Sequence, residues 1–217
     1  MKRIYCILIA NLIISSAYAQ MKSVVKSHYI FPAFTQGAVI MKSGVKNEAL
    51  LNYNTLTEEM VFKKADQKLA IPKSDMIYID TVFIADRTFI VLDKQFVEIL
   101  NDSKWHLYVV YKCKVQEKGQ SSGFGGLSET AAINAHSSLI TGGAFYELEL
   151  PNNYKIEPYN FYWLKKNEEL KKFVNMNTLK KLYKNKSASF KAYVKKNGVK
   201  YDNQEGIVQL IEYMEAN

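Results

Sequence analysis

The chain has 217 residues, 48% of them hydrophobic and 13% aromatic, with a formal net charge of +8 at pH 7. That much apolar material supports a packed core and excludes a disordered chain. The positive charge is almost all lysine, Arg3 and Arg87 being the only arginines. Scarcity of the residue that grips phosphates and bases in bidentate fashion argues against a nucleic-acid partner.

Residues 1–19 are expected to be a secretory signal peptide. Lys2 and Arg3 give a positive start, Ile4 to Ile14 form a short apolar run, and Ser15-Ser16 break it. Ala17-Tyr18-Ala19 then offers the small-x-small pattern of a cleavage site, which would leave Gln20 as the new N-terminus. The run falls short of the ~20 residues needed to span a bilayer. Cys6 lies at its start rather than after a lipobox, so no lipid anchor is expected. With Cys6 removed, Cys113 stands alone and no intramolecular disulfide can form. The expected location is the periplasm or outer-membrane periphery of a Gram-negative bacterium.

Residues 28–115 read as an antiparallel β-rich domain, the larger part of an α+β fold. Short apolar runs at Ala38–Met41, Ala49–Tyr53, Met60–Lys63 and Leu69–Ile71 alternate with turn-like polar residues. Asn52-Tyr53-Asn54 is expected to close a strand, because asparagine tolerates left-handed dihedrals. Between Met76 and Leu92 the two-residue period puts Ile77, Ile79, Thr81 and Phe83 on one face, with Tyr78, Asp80 and Val82 on the other. Asp86-Arg87 reads as a turn, and Phe96–Leu100 as a further strand ahead of the Asn101-Asp102-Ser103 turn cluster. Trp105–Val115 is the clearest strand. Trp105, Leu107, Val109, Tyr111 and Cys113 share one face; His106, Tyr108, Val110, Lys112 and Lys114 share the other. Both faces begin apolar, as in a central strand.

Residues 116–144 form a Gly/Ser-rich stretch, read as a long mobile loop. Residues 145–217 are expected to hold strands at Phe145–Leu150, Lys155–Glu157 and Tyr159–Lys165, then two or three short helices packed on the β-rich part. The helical period places Leu179, Leu182 and Tyr183 inward over Thr178–Lys184, and Phe190, Tyr193 and Val194 inward over Ser187–Asn197. Asn197-Gly198 reads as a helix stop. Asp202 with Glu205 reads as a capping box for a last helix, whose stripe is Ile207, Leu210, Ile211 and Met214.

Candidate chemistry is sparse. Gly119-Gln120-Ser121-Ser122-Gly123 has the spacing of a nucleophile elbow, but no helical pattern follows it. His136 precedes the only later aspartate, Asp202, which reverses the usual chain order of a hydrolase. His28, His106 and His136 lack the short repeated spacings of a zinc site. Cys113 shares a face with Val109 and Tyr111 and reads as a buried, inert thiol. Glu58-Glu59, Glu147 with Glu149, and Glu168-Glu169 show no reason to converge across a scissile bond and read as solvated. No catalytic, metal or cofactor residue is assigned, and no cofactor is expected. The candidate ligand surface is Tyr159, Tyr162, Lys165 and Lys166, where rings could stack on sugar while Phe161 and Trp163 alternate into the core. Twelve lysines lie between positions 165 and 200. They read as the solvated face of amphipathic helices, or as a surface leaning on anionic lipid or polysaccharide.

Gly37-Ala38-Val39-Ile40-Met41-Lys42 leads to Ala49-Leu50-Leu51-Asn52-Tyr53-Asn54, then to Glu58-Glu59-Met60-Val61-Phe62 and Leu69-Ala70. This G-x-V … L-N-Y-N … E-M-x-F pattern, with Phe96–Leu100 and Leu107-Tyr108-Val109 after it, resembles a group of uncharacterised secreted proteins of Bacteroidetes. The resemblance covers roughly residues 34–125. It implies a β-rich protein of a Gram-negative envelope, and brings no catalytic residue, cofactor or partner.

The function expected from these features is that of a non-enzymatic, exported cell-envelope module binding protein or glycan, with no transmembrane span and with peripheral membrane contact left open. The alternative is a hydrolase acting on envelope polymers. A concave pocket gathering titratable groups would favour the enzyme, and an exposed aromatic or basic surface the binder. An outer-membrane barrel fits poorly, because the strands read short and the chain ends in a helix.

Overall fold

The computed structural model describes residues 27–117 and 154–216. The expected signal peptide lies outside them. So do Ser121, His136, the Phe145–Leu150 strand with Glu147 and Glu149, and all of the Gly/Ser-rich stretch beyond residue 117.

The fold is α+β. Among the described residues twelve strands run in chain order as β1 (Thr35–Met41), β2 (Lys46–Asn54), β3 (Glu59–Lys64), β4 (Gln67–Ala70), β5 (Ile79–Ile84), β6 (Arg87–Leu92), β7 (Gln95–Asp102), β8 (His106–Val110), β9 (Cys113–Glu117), β10 (Tyr154–Pro158), β11 (Phe161–Lys166) and β12 (Glu169–Phe173). Three helices follow: α1 (Met176–Leu182), α2 (Ser187–Asn197) and α3 (Gln204–Ala216). Ten strands form one antiparallel sheet in the order β4-β3-β2-β1-β5-β6-β7-β8-β11-β12. β9 and β10 pair separately, where the chain runs on from β8 and returns to β11.

Tight hairpins build this meander. Asp93-Lys94 and Asn167-Glu168 both take positive φ at two successive residues (49° and 60°; 47° and 63°). That is the pattern of a type I′ turn, whose twist matches the strands it joins. Gly37 on β1 allows a close approach: a Cβ there would meet the Phe83 carbonyl oxygen at 2.3 Å and Leu51 Cδ1 at 2.8 Å.

The core lies on one face of the sheet and is completed by the helices. Leu51, Met60, Val82, Phe89, Phe96 and Leu107 from the strands join Leu179, Phe190, Ile207, Leu210, Ile211 and Met214 from the helices in one buried cluster. A smaller cluster of Val97, Tyr108, Val110 and Phe161 covers the opposite face, flanked by Trp163 and Leu170. β8 is therefore apolar on both faces, in keeping with its place between β7 and β11.

Several local expectations change. The strand over 105–115 is split into β8 and β9. The face expected for residues 77–83 is revised: Met76–Tyr78 belong to a 3-10 turn, and Ile79, Val82 and Ile84 are buried while Phe83 is exposed. A register shift at Ile40/Met41 lets Ile79 and Val82 both face inward. Asn52 and Asn54 act through their side chains rather than through left-handed dihedrals. Asn52 Oδ1 accepts from the Phe31 and Tyr53 amides (3.1 and 2.9 Å), and its Nδ2 donates to the Phe31 and Ala33 carbonyls (2.9 and 3.2 Å). Asn54 Oδ1 accepts from the Leu56 and Thr57 amides, and Glu58 takes the positive φ in that turn. Asn203, not Asp202, caps α3, accepting from the Gly206 amide at 3.1 Å. Gly198 ends α2 at φ 61°.

Candidate functional site

Glu98 sits mid-strand between Val97 and Ile99 and is 6% exposed. An isolated carboxylate at such a depth is costly unless a cation pairs with it in good geometry. Arg87, one strand away and on the same face, donates from Nε to Oε1 at 2.7 Å and from Nη2 to Oε2 at 2.6 Å. The planar fork matches the carboxylate on both oxygens. The guanidinium also lies 4.9–5.4 Å from the ring centroids of Phe31, Phe89 and Tyr111. Burial works against its charge, but the hydrogen bond and attraction to Glu98 outweigh that and hold its pKa above the ordinary value. Burial and the Glu98 charge push the Tyr111 hydroxyl far up. Tyr111 therefore keeps its proton and donates it to Glu98 Oε2, while accepting from Gln204 Nε2 at 2.7 Å.

The outer end of that hydrogen-bonded chain, Tyr111 and Gln204, forms the floor of a groove of about 920 Å³. One wall is the β10–β11 junction from Glu157 to Asn160. The other is Tyr201 to Glu205, at the entry to α3. The walls are tied together: Tyr201 donates to the Asn160 and Phe173 carbonyls at 3.1 and 3.3 Å. Tyr162 stacks on Phe173 at 5.0 Å and meets Tyr201 edge-on at 5.4 Å. Burial, and then the charge of Asp202, push the Tyr162 hydroxyl up to about 12. Among the described residues, Glu157, Asp202 and Glu205 line the groove and no lysine or arginine does. Glu157 and Asp202 make no ion pair or hydrogen bond among the described residues. The Tyr159 ring stands at the mouth, 43% exposed, with Lys114 Nζ 5.1 Å from its centroid.

The four residues expected to form one ligand surface are distributed over three places. Tyr159 and Tyr162 share the groove, Tyr162 as a core residue 1% exposed. Lys166 lies on the helix-covered face at the far end of β11 and pairs with Glu215. Lys165 lies on the opposite face and pairs with Glu168 at 2.9 Å. Phe161 and Trp163 belong to the smaller cluster on that opposite face.

Other candidates resolve individually. Glu58 is held by Lys112 at 2.7 Å and by Gln95 at 3.1 Å. Glu169 pairs with Lys171 at 2.5 Å. His106 Nδ1 meets Asp102 at 2.5 Å. His28 is buried, and burial followed by the Lys68 charge lowers its pKa. Cys113 is buried, which pushes its thiol pKa up. No group of three or more His, Cys, Asp or Glu among the described residues is placed to hold a metal. No described helix is long and apolar enough to cross a membrane.

Sequence reasoning passed over Glu98, Tyr111, Tyr201 and Gln204. One signal was present: a glutamate inside the apolar run Phe96–Leu100, preceded across the Asp93-Lys94 turn by the lone arginine of the strands. No family model, curated protein or solved structure matches the chain.

Proposed function

We propose that the protein is an exported, non-enzymatic module of a Gram-negative cell envelope that binds a glycan in the Tyr159 groove. The observation that carries this reading is the pairing of an exposed tyrosine ring with a groove lined by hydrogen-bond acceptors. A ring with an apolar face and a polar edge suits the C–H face of a sugar. Glu157, Asp202 and Glu205 offer carboxylate oxygens to sugar hydroxyls, and a rigid floor spares the ordering cost of binding. The leader-like N-terminus and the resemblance to secreted proteins of Bacteroidetes support the envelope assignment.

Titration calorimetry of the purified protein against soluble envelope polysaccharide and peptidoglycan fragments tests it. Binding is expected for at least one, and Tyr159→Ala or Asp202→Asn should weaken it at least tenfold without lowering thermal stability. Unchanged affinity in both variants would remove the groove from the reading. Release of new reducing ends from the same polymer would replace the binder with a hydrolase.

A further inference from the structure

At the other end of α3 lies a second cleft, of about 440 Å³, between the β11–β12 hairpin and the segment from Lys181 to Lys186. α3 has 13 residues, so the two clefts stand about 20 Å apart. Among the described residues, five lysines and two glutamates line this one, an excess of three positive charges. Three of the lysines have local work. Lys166 pairs with Glu215, which also accepts from the Tyr183 hydroxyl at 2.9 Å. Lys171 pairs with Glu169. Lys186 donates to the Met214 carbonyl at 2.8 Å, satisfying the last turn of α3. Both carboxylates are thus engaged, Glu215 with its side chain only 10% exposed. Lys181 and Lys184 are exposed, and their ammonium groups make no hydrogen bond or ion pair among the described residues. Helix capping and strand pairing account for three ammonium groups and leave two facing the same cleft.

We propose that this cleft binds a phosphate group, free or as a monoester, with Lys181 and Lys184 as its principal ligands and Lys166 and Lys171 at its margin. Like charges gathered around one concavity repel, and an anion between them relieves that repulsion. A carboxylate brings one negative charge. A phosphate monoester brings close to two, with several acceptor oxygens, and so matches more than one unpaired ammonium. Lysine binds it as a point charge without demanding a planar fork. The source of the phosphate, a free ion or a phosphorylated sugar, is left to the experiment. The proposal is independent of the Tyr159 groove.

Amide chemical shifts of the purified protein, followed at constant ionic strength against inorganic phosphate, glucose 1-phosphate and glucose, provide the test. Saturable shifts at Lys181, Lys184 and Asn185 are expected with both phosphates and not with glucose. Tighter binding of glucose 1-phosphate would identify a phosphorylated sugar; equal binding would identify the phosphate group alone. Lys181→Gln with Lys184→Gln should weaken binding at least tenfold, whereas Lys191→Gln with Lys195→Gln on exposed α2 positions should not. Equal losses in both double variants, or shifts that sodium chloride reproduces, would overturn the site. Loss of glycan binding in Tyr159→Ala with phosphate binding retained would leave it standing.

Discussion

A single arginine decides much of the interior chemistry of this protein. Arg87 meets Glu98 on two oxygens while three aromatic rings surround the guanidinium, so the pair is enclosed rather than rim-exposed. Removing one member of such a pair strands the other charge, at a cost of about 3–5 kcal/mol. Arg87→Met should therefore destabilise by that order in urea unfolding. Glu98→Gln should cost less, since a neutral amide still accepts from Tyr111 and leaves only the cation, which retains some solvent access, unpaired. If Arg87→Met were neutral, the ion pair would contribute nothing to the fold and the groove floor would lose its anchor. Asn52 does comparable work without charge, replacing the ladder with its amide where residues 31–33 depart from β2. Buried backbone groups left without partners cost roughly 1–3 kcal/mol each, which explains a buried asparagine between Leu51 and Tyr53.

Elements differ in how openly they declare themselves. β8 was legible on both faces because a central strand must be apolar on each side. α2 and α3 were legible because their buried stripes follow the helical period and Gly198 marks a left-handed stop. β12 was not. Its sequence, Glu169-Leu170-Lys171-Lys172-Phe173, carries charge where alternation would be sought, as edge strands do to resist pairing with other chains. The inward face of β5 was obscured by a bulge in β5 itself, where Asp80 is the extra residue between the Ile40–Thr81 and Met41–Ile79 pairs, so the two-residue period breaks inside the strand. The groove draws on positions 111, 157–160, 162 and 201–205, so its assembly depends on topology, and only Tyr159 and Tyr162 were accessible to a local reading. The hairpin turns yield a further expectation. Lys94 holds φ at 60° with an exposed side chain, a conformation that glycine adopts without the Cβ penalty. Lys94→Gly should stabilise by about 0.5–1 kcal/mol, whereas Thr88→Gly within β6 should destabilise by a similar amount. A loss of thermal stability in Lys94→Gly would mean that the lysine side chain, not the turn geometry, holds this hairpin.

At the scale of the whole molecule, sheet and helices share one buried cluster, so neither can expose its apolar face without the other. Helices of 7, 11 and 13 residues are marginal on their own in water. A ten-stranded sheet stripped of them would present a broad apolar face to solvent. Both considerations predict one cooperative transition. Leu210 is fully buried in α3, and Trp105 lies in the same cluster beside the start of β8. Leu210→Ala should cost about 2–5 kcal/mol through lost burial and the cavity left behind. Exposed Lys195→Ala should change stability little. Urea unfolding followed by helical circular dichroism and by tryptophan fluorescence should give coincident midpoints, both displaced together by Leu210→Ala. Were the dichroism transition to move while the tryptophan signal stayed, the helices would be a separately melting layer. The groove wall from Tyr201 to Glu205 would then open without unfolding of the sheet.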